Sequence, residues 1–213
     1  MMEGKAFSIS LEKHPLISMK VIPGHFTTSN SHVSHYLDVS SLKSNAQVAR
    51  DVARVLANPY LSSTLVDTIV CIERTEVIGA YLAEELSNNG MSIMNENTEI
   101  HVITPISNNI GSLYFQGSMV KHISNRNILL LTSYISVGQL LDNALDCISY
   151  YRGKIAGISA LFLASLDLEQ KINTLFTSED VPGYKIFSPR KCEMCQAGQS
   201  LDALISSEGY TKI

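Results

Sequence analysis

Short apolar runs alternate with helical patterns along most of this 213-residue chain. The run LVDTIVCI, residues 65–72, is typical of a buried strand, and a polar turn at residues 73–76 and a helix over about residues 77–87 follow it. A strand at residues 127–132 precedes a helix over about residues 139–151 in the same way. Because such alternation is typical of parallel sheets, the sequence predicts an α/β fold with a mainly parallel twisted sheet flanked by helices.

Further elements extend this pattern on both sides. Apolar residues at three- and four-residue spacing predict a helix over about residues 45–57, with Ser44 as its N-cap, ending before Asn58-Pro59. Additional strands are predicted at residues 100–104, 155–163 and 172–176. No internal repeat interrupts this order, so one main core is expected.

Composition narrows the classes of partner. The chain is 45% hydrophobic and 17% charged with a net charge of −4, and no Lys or Arg run interleaves with aromatics, so a nucleic-acid partner is not expected. The N-terminus lacks the apolar region of a signal peptide, and the apolar runs are too short to cross a bilayer. We therefore expect no membrane partner, a cytoplasmic location and four reduced cysteines.

Ligands of open parallel sheets bind beyond the carboxyl ends of the strands, which directs attention to the loops there. Three loops qualify, at residues 73–76, 105–116 and 132–139. The third combines hydroxyl side chains, a glycine and a helix start, so its backbone N–H groups could hold a phosphate without a cationic side chain. Alternatively, Ser136 only caps the helix and Gly138 only permits the turn. The predicted phosphate and ribose loop consists of Thr132, Ser133, Tyr134, Ile135, Ser136, Val137, Gly138 and Gln139.

The sequence contains two groups of residues of the types that bind metals, one of cysteines and one of histidines. Cys192 and Cys195 have metal-ligand spacing, but a structural zinc site needs four ligands and the sequence has no second such pair, so no metal site is predicted. His25, His32 and His35 lie within eleven residues and could serve metal or acid–base chemistry. We expect them instead to form hydrogen bonds at the surface.

Specific segments resemble a known family. The segment GHFTTSNSHVSHYLD, residues 24–38, resembles the Gly-His-Phe…Ser-Gly…His-Ser…Tyr…Asp segment near the start of orotate phosphoribosyltransferases. The C-terminal KCEMCQAGQSLDALISSEGY is similar to Cys-Pro-x-Cys…Gly tails of some bacterial relatives. With the order of elements between them, the resemblance spans about residues 20–210 and is to type I phosphoribosyltransferases, orotate-like.

The resemblance implies a fold, a reaction and site residues. It implies an N-terminal hood at residues 1–40, a core at 41–185 and a tail at 186–213 that packs on the core. Phosphoribosyl transfer from 5-phosphoribosyl 1-pyrophosphate (PRPP) to a base, with Mg²⁺ as cofactor, would place the protein in pyrimidine nucleotide metabolism, as a possible homodimer. The implied pyrophosphate loop is Glu73, Arg74, Thr75 and Glu76, and Phe26 either stacks on the base or belongs to the core.

The chain departs from the family at charged positions. Thr132-Ser133 stands where the family has two adjacent acids, so the PRPP loop is degenerate and the charge opposing a cationic transition state is lost. Residues 102–120 contain no Lys, Arg or His, whereas relatives that use orotate carry several there. Lys121 and His122 either contact ligand or form a solvated pair, and Arg74 either faces pyrophosphate or pairs with a neighbouring Glu.

Three functions remain open from the sequence. The first is a phosphoribosyltransferase with weak or altered activity, and the second is a non-catalytic regulatory protein that binds a nucleotide or phosphosugar. The third is a structural homologue that binds no ligand. All three use the same fold, so they differ in what the strand-end loops bind.

Overall fold

A computed structural model describes residues 2–88, 94–95, 98–108, 111–136, 139–165, 170–206 and 209–213. The chain forms two compact units. The terminal unit consists of Met1–Leu42 with Phe176–Ile213, and the central unit consists of Lys43–Leu175.

The elements follow one another in this order. The strands are β1 Phe7–Leu11, β2 His14–Thr27, β3 His32–Asp38, β4 Thr68–Cys71, β5 His101–Ile103, β6 Ile106–Ser107, β7 Leu113–Tyr114, β8 Asn127–Ile135, β9 Lys154–Leu163, β10 Asn173–Thr177, β11 Ile186–Phe187, β12 Ala203–Ser206 and β13 Gly209–Lys212. The α-helices are α1 Ser40–Ser44, α2 Ala46–Ala57, α3 Glu76–Asn88, α4 Gln139–Tyr150 and α5 Glu193–Gln196. Short 3-10 helices lie at Met2–Lys5, Asn58–Tyr60, Val120–His122, Ser178–Asp180 and Pro189–Lys191.

The main sheet has the strand order β10-β9-β8-β4-β5. Strand β4 runs parallel to both β5 and β8, and β8 runs parallel to β9. The chain passes from β4 to β5 on one side and then to β8 on the other, which makes the gap between the ends of β4 and β8 a topological switch point. The predicted α/β class with a mainly parallel sheet flanked by helices is confirmed.

Helices pack against this sheet through apolar contacts. Helix α3 lies so close to β4 that a Cβ atom on Gly79 would collide with the Cys71 sulfur. Buried residues of α4 join a hydrophobic cluster with alternate residues of the sheet, among them Val70, Leu130 and Ile158. Within the described ranges, no helix combines the length and the apolar content that crossing a bilayer requires.

Two predicted boundaries are wrong. The N-cap of α2 is Asn45, whose side-chain oxygen accepts from the backbone N–H of Gln47 at 3.0 Å and of Val48 at 3.3 Å. Ser44, the predicted cap, instead ends α1. Strand β8 continues past the predicted end at Thr132 to Ile135, because Ile135 is buried and pairs with Leu163 of β9.

The terminal unit is built from both ends of the chain. Its sheet has the order β11-β3-β2-β12-β13, with β1 also paired to β2, and β12 runs parallel to β2. One hydrophobic cluster of this unit has four buried members, Ile22, Phe26, Val33 and Ala203. Strands from the predicted hood at residues 1–40 and from the predicted tail at 186–213 belong to this one sheet, and the division into hood, core and tail stays a prediction.

Candidate functional site

The turn after β4 is hydrogen-bonded to the middle of β8 near the switch point. The backbone N–H of Ile72 donates to the Leu131 carbonyl at 2.9 Å. The buried hydroxyl of Thr75 donates to the same carbonyl at 3.1 Å and to the Ile72 carbonyl at 3.0 Å. Thr75 of the predicted pyrophosphate loop therefore holds the turn in place.

The turn itself contains two consecutive residues in the left-handed region. Glu73 has φ 56° and Arg74 has φ 62°. Each such residue without glycine's freedom costs roughly 1–2 kcal/mol, and strain of this kind persists where surrounding contacts fix the backbone. The bonds of Thr75 and Ile72 supply those contacts, so the Glu73 side chain has a defined direction.

The Glu73 carboxylate lies against the first residues of the predicted phosphate loop. Its Oε2 atom accepts from the Thr132 hydroxyl at 2.8 Å and from the Tyr134 backbone N–H at 2.9 Å. The Glu73 carbonyl oxygen accepts from the Ser133 hydroxyl at 2.9 Å and from Lys43 Nζ at 3.0 Å. The sequence has hydroxyls at Thr132 and Ser133, where the resemblance implies acids. The Glu73 carboxylate, from the neighbouring turn, therefore lies beside these positions.

Burial raises the pKa of Glu73 above its ordinary value of 4.5. The hydrogen bonds from Thr132 and the Tyr134 backbone and the positive charge of Lys43 oppose this rise in pKa. Desolvation is the largest of these effects on the pKa. The ionised form of Glu73 is therefore less stable, relative to the protonated form, in the folded protein than in water.

The other predicted loop residues lie along one path from strand to helix. Thr132 to Ile135 are strand residues rather than loop residues, Ser136 follows β8, and Gln139 begins α4. The Tyr134 ring stacks on Phe162 with centroids 5.3 Å apart. Val137 and Gly138 lie outside the described residues. The phosphate-binding role of this segment stays a prediction.

The remaining residues of the pyrophosphate loop face different surroundings. Arg74 is exposed at the turn. Glu76 begins α3, and its carboxylate accepts from the Thr104 hydroxyl at 3.0 Å. Of the four predicted residues, Glu73 is the one whose carboxylate contacts the C-terminal half of β8, whereas Thr75 contacts β8 through its hydroxyl, which donates to the Leu131 carbonyl.

Phe26 is a core residue of the terminal unit. Its side chain is 1% exposed and packs in the cluster with Ile22, Val33 and Ala203. A planar base needs an exposed ring face for stacking. The burial of Phe26 therefore favours the core alternative, and its role in base binding stays an untested prediction.

The expectation that the three histidines lie at the surface is wrong. His25 is 2% exposed, and His32 and His35 are each 8% exposed. His25 and His32 lie beside Cys192 and Cys195, whereas the Nδ1 atom of His35 is 2.8 Å from the Ser34 hydroxyl oxygen and its ring stacks on Tyr184. No local pattern indicated this meeting, because the cysteines follow the histidines by more than 150 residues.

Sequence reasoning also missed Lys43 as a cation of this site. Lys43 lies 30 residues before Glu73, near the end of the short helix α1, and no motif marks it. The Glu73 carboxylate is an oxygen ligand of the kind that Mg²⁺ takes beside substrate phosphates, whereas the Thr132 and Ser133 hydroxyls are buried and already donate to Glu73. Binding of a magnesium ion together with a phosphorylated ligand stays a prediction.

Several solved structures that match this fold are phosphoribosyltransferases or contain one. An adenine phosphoribosyltransferase from Thermoanaerobacter pseudethanolicus matches with a TM-score of 0.51 and 13% identity, over 83% of this chain and 97% of that one. The UMP synthase of Leishmania donovani matches with a TM-score of 0.54 and 16% identity, over 75% of this chain and 34% of that one. At these identities the similarity establishes the fold. No protein-family model matches the sequence, and no curated protein is similar to it.

Proposed function

We propose that this protein binds a phosphoribosyl compound at the carboxyl ends of β4 and β8 and acts as a phosphoribosyltransferase of weak or altered activity. The observation that supports the proposal is the Glu73 carboxylate, held 2.8 Å from the Thr132 hydroxyl at the switch point of the sheet. PRPP is the proposed donor, and a nitrogenous base of the orotate type is the proposed acceptor.

The residues of the site match the demands of this reaction. Phosphoribosyl transfer develops positive charge on the ribose, and a fixed carboxylate stabilises that charge. Glu73 supplies the carboxylate, and the buried hydroxyls of Thr132 and Ser133 hold that carboxylate and the Glu73 carbonyl in place. A magnesium ion bound with PRPP would neutralise charge on the departing pyrophosphate. Lys43, beside the Glu73 carbonyl, adds a positive charge near the same turn.

A non-catalytic role as a nucleotide or phosphosugar sensor is the second candidate. Residues 102–120 supply no Lys, Arg or His for a leaving pyrophosphate. The Glu73 carboxylate also takes the Tyr134 backbone N–H, a donor that a ligand oxygen would otherwise use. The missing cations favour binding over turnover, and the occupied Tyr134 N–H reduces the number of donors that remain for a phosphate.

Ligand-dependent unfolding separates these functions. The protein is melted with ribose 5-phosphate, with orotidine monophosphate, and with PRPP plus Mg²⁺, and pyrophosphate release is followed with orotate and other bases. A ligand present at 100- to 1,000-fold its dissociation constant should add about 3–4 kcal/mol to the free energy of unfolding. Stabilisation with pyrophosphate release supports the transferase, and stabilisation without it supports the sensor. Unchanged melting with every ligand would contradict both.

A pair of matched variants tests the site itself. Glu73→Gln removes the charge that the proposed ribose and magnesium contacts use, so binding of Mg²⁺ and PRPP should weaken about tenfold or more, which corresponds to roughly 1.4 kcal/mol. Glu84→Gln makes the same change at an exposed position of α3 and should leave binding unchanged. Equal affinities for the two variants, measured by calorimetry, would remove Glu73 from the site.

A further inference from the structure

Four metal-binding side chains meet within the terminal unit. His25 lies near the end of β2, His32 begins β3, Cys192 directly precedes α5, and Cys195 lies within it. One ligand atom from each residue lies within 4.8 Å of all the others. We propose that these four residues bind one zinc ion at a structural Cys₂His₂ site that joins the two ends of the chain.

Four of the six separations between the ligand atoms match a tetrahedron around zinc, and the other two are at most 4.8 Å. Zn–N bonds of about 2.0–2.1 Å and Zn–S bonds of about 2.3 Å give edges of about 3.3 Å between two nitrogens and about 3.5 Å between nitrogen and sulfur. His25 Nε2 lies 3.3 Å from His32 Nδ1. It lies 3.4 Å from Cys192 Sγ and 3.7 Å from Cys195 Sγ, while His32 Nδ1 lies 3.3 Å from Cys195 Sγ. The central volume therefore has the size of one zinc ion.

The hydrogen bonding of His25 presents a lone pair to that centre. His25 Nδ1 lies 3.0 Å from the carbonyl oxygen of Gln199, which can only accept, so Nδ1 carries the proton. Nε2 of the neutral ring then has no proton and faces three potential ligand atoms at once. One lone pair cannot bond to three neighbours, but all four groups can bond to a single cation between them. A carbonyl on the outer nitrogen is also the usual partner of a zinc-binding histidine.

Backbone pairing fixes the positions of the ligands. His32 is the register partner of Thr27 in the antiparallel β2–β3 pair, which places it near the end of the strand that carries His25. The bond from the Gln196 N–H to the Cys192 carbonyl, 3.1 Å, closes the turn that carries both cysteines. Asp202 binds the His25 backbone on both sides, through its N–H at 2.7 Å and its carboxylate at 2.8 Å. The ligand set is therefore largely preformed.

The ligand types select zinc and a structural role. Two thiolates and two imidazoles in tetrahedral order are the usual ligands of zinc in closed structural sites. Four protein ligands leave no open position for a substrate, so this site is separate in kind from the proposed phosphoribosyl site. His25 and Cys192 are almost fully buried, with 2% and 1% exposure, and Cys195 is exposed and gives the ion a route of entry.

The ion would hold together segments that are far apart in sequence. His25 and Cys192 are separated by 167 residues. Closing so long a loop costs conformational entropy, and the free energy of metal binding to a site absent from the unfolded chain becomes folding free energy. The terminal unit, which is built from both ends of the chain, should therefore lose stability when the ion is removed.

Metal content and cobalt spectroscopy test the proposal on the full chain. Protein purified with zinc and a thiol reductant should contain one zinc per chain, measured by inductively coupled plasma mass spectrometry. Replacement by Co²⁺ should give the visible bands of a tetrahedral site together with a near-ultraviolet thiolate-to-cobalt band. Chelation of the zinc should lower the melting temperature, and added zinc should restore it.

Matched variants assign the ligands. Cys195→Ala and His32→Gln should each bind zinc at least tenfold more weakly and change the cobalt spectrum. Two control variants should retain zinc affinity and the cobalt spectrum. They are Cys147→Ala, on the buried face of α4, and His35→Gln, in the same strand as His32. If the ligand variants fail to fold, the titration of the unaltered protein with chelator decides. Absence of bound zinc and of a tetrahedral cobalt spectrum in the unaltered protein would overturn the proposal, as would a spectrum that survives Cys195→Ala.

Discussion

At the scale of single residues, the site depends on how Glu73 reaches β8. The carboxylate depends on a turn with two left-handed residues, and it is held by one hydroxyl and one backbone N–H of the neighbouring strand. Burial raises its pKa, and hydrogen bonding and Lys43 only partly offset that effect. Charge, backbone strain and burial therefore meet at one side chain, which is typical of functional positions.

The raised pKa of Glu73 makes stability depend on pH. Well below the ordinary pKa of 4.5, Glu73 is protonated in both the folded and the unfolded states, so it does not make the free energy of unfolding depend on pH. As the pH rises through the interval between 4.5 and the raised folded pKa, the unfolded state loses its proton first, so the free energy of unfolding falls. The glutamine of the Glu73→Gln variant does not titrate. We expect the stability of the wild type minus that of this variant to fall with rising pH in this interval, measured by urea unfolding. A difference that stays constant or grows would contradict the raised pKa.

Restoring an acid at Thr132 should have different effects in different backgrounds. Thr132→Asp alone places a second carboxylate beside Glu73, whose Oε2 atom lies 2.8 Å from the Thr132 hydroxyl oxygen, and like charges repel. With Glu73→Gln present the repulsion disappears. We expect an interaction free energy of about 1–3 kcal/mol between the two substitutions in a double-mutant cycle of unfolding at pH 7.

The same pair also reports on ligand binding. The double variant carries one carboxylate, in the position that the family resemblance assigns to an acid, so it should bind Mg²⁺ and PRPP more tightly than Glu73→Gln. Additive effects on unfolding would show that the Thr132 side chain does not face Glu73. Unchanged binding would show that it does not face a ribose.

At the scale of elements, α2 depends on a cap that lies one residue later than predicted. Asn45→Ala removes the acceptor for the N–H groups of Gln47 and Val48 and should lower the free energy of unfolding by about 1 kcal/mol. Asn45→Asp keeps a side-chain oxygen and should be nearly neutral. Urea unfolding of both variants measures the difference, and equal losses would mean that the cap does not stabilise α2.

Local patterns were sufficient for most elements of the central unit, but not for the strands of the terminal unit or for the sites. The buried strands β4, β8 and β9 and the helices α2, α3 and α4 were predicted from apolar periodicity to within a few residues. The end of β8 was missed because pairing of Ile135 with Leu163 continues through residues whose hydroxyls suggested a loop. The contacts of Glu73 with Thr132 and of His25 with Cys192 depend on tertiary structure over 59 and 167 residues, which no local spacing encodes.

At the scale of the whole molecule, the terminal unit depends on the last strands of the chain. Ala203 of β12 is fully buried in the cluster with Phe26, and β12 is a parallel neighbour of β2. Removing residues 203–213 should therefore abolish hydrogen-exchange protection in β2 and β3 while β4 and β8 remain protected. Removing Ile213 alone, which is 76% exposed, is the control. Retained protection of β2 after the longer deletion would contradict this dependence.

The interlaced order of the two units has a consequence during synthesis. Strands β1 to β3 leave the ribosome first, but β12 follows only after the entire central unit has been made. At about 5–20 residues per second, this interval is roughly 10–30 s, long enough for the central unit to fold on its own. Strands β1 to β3 must therefore remain unaggregated, with the edges that β11 and β12 later cover still open, until translation has passed residue 203.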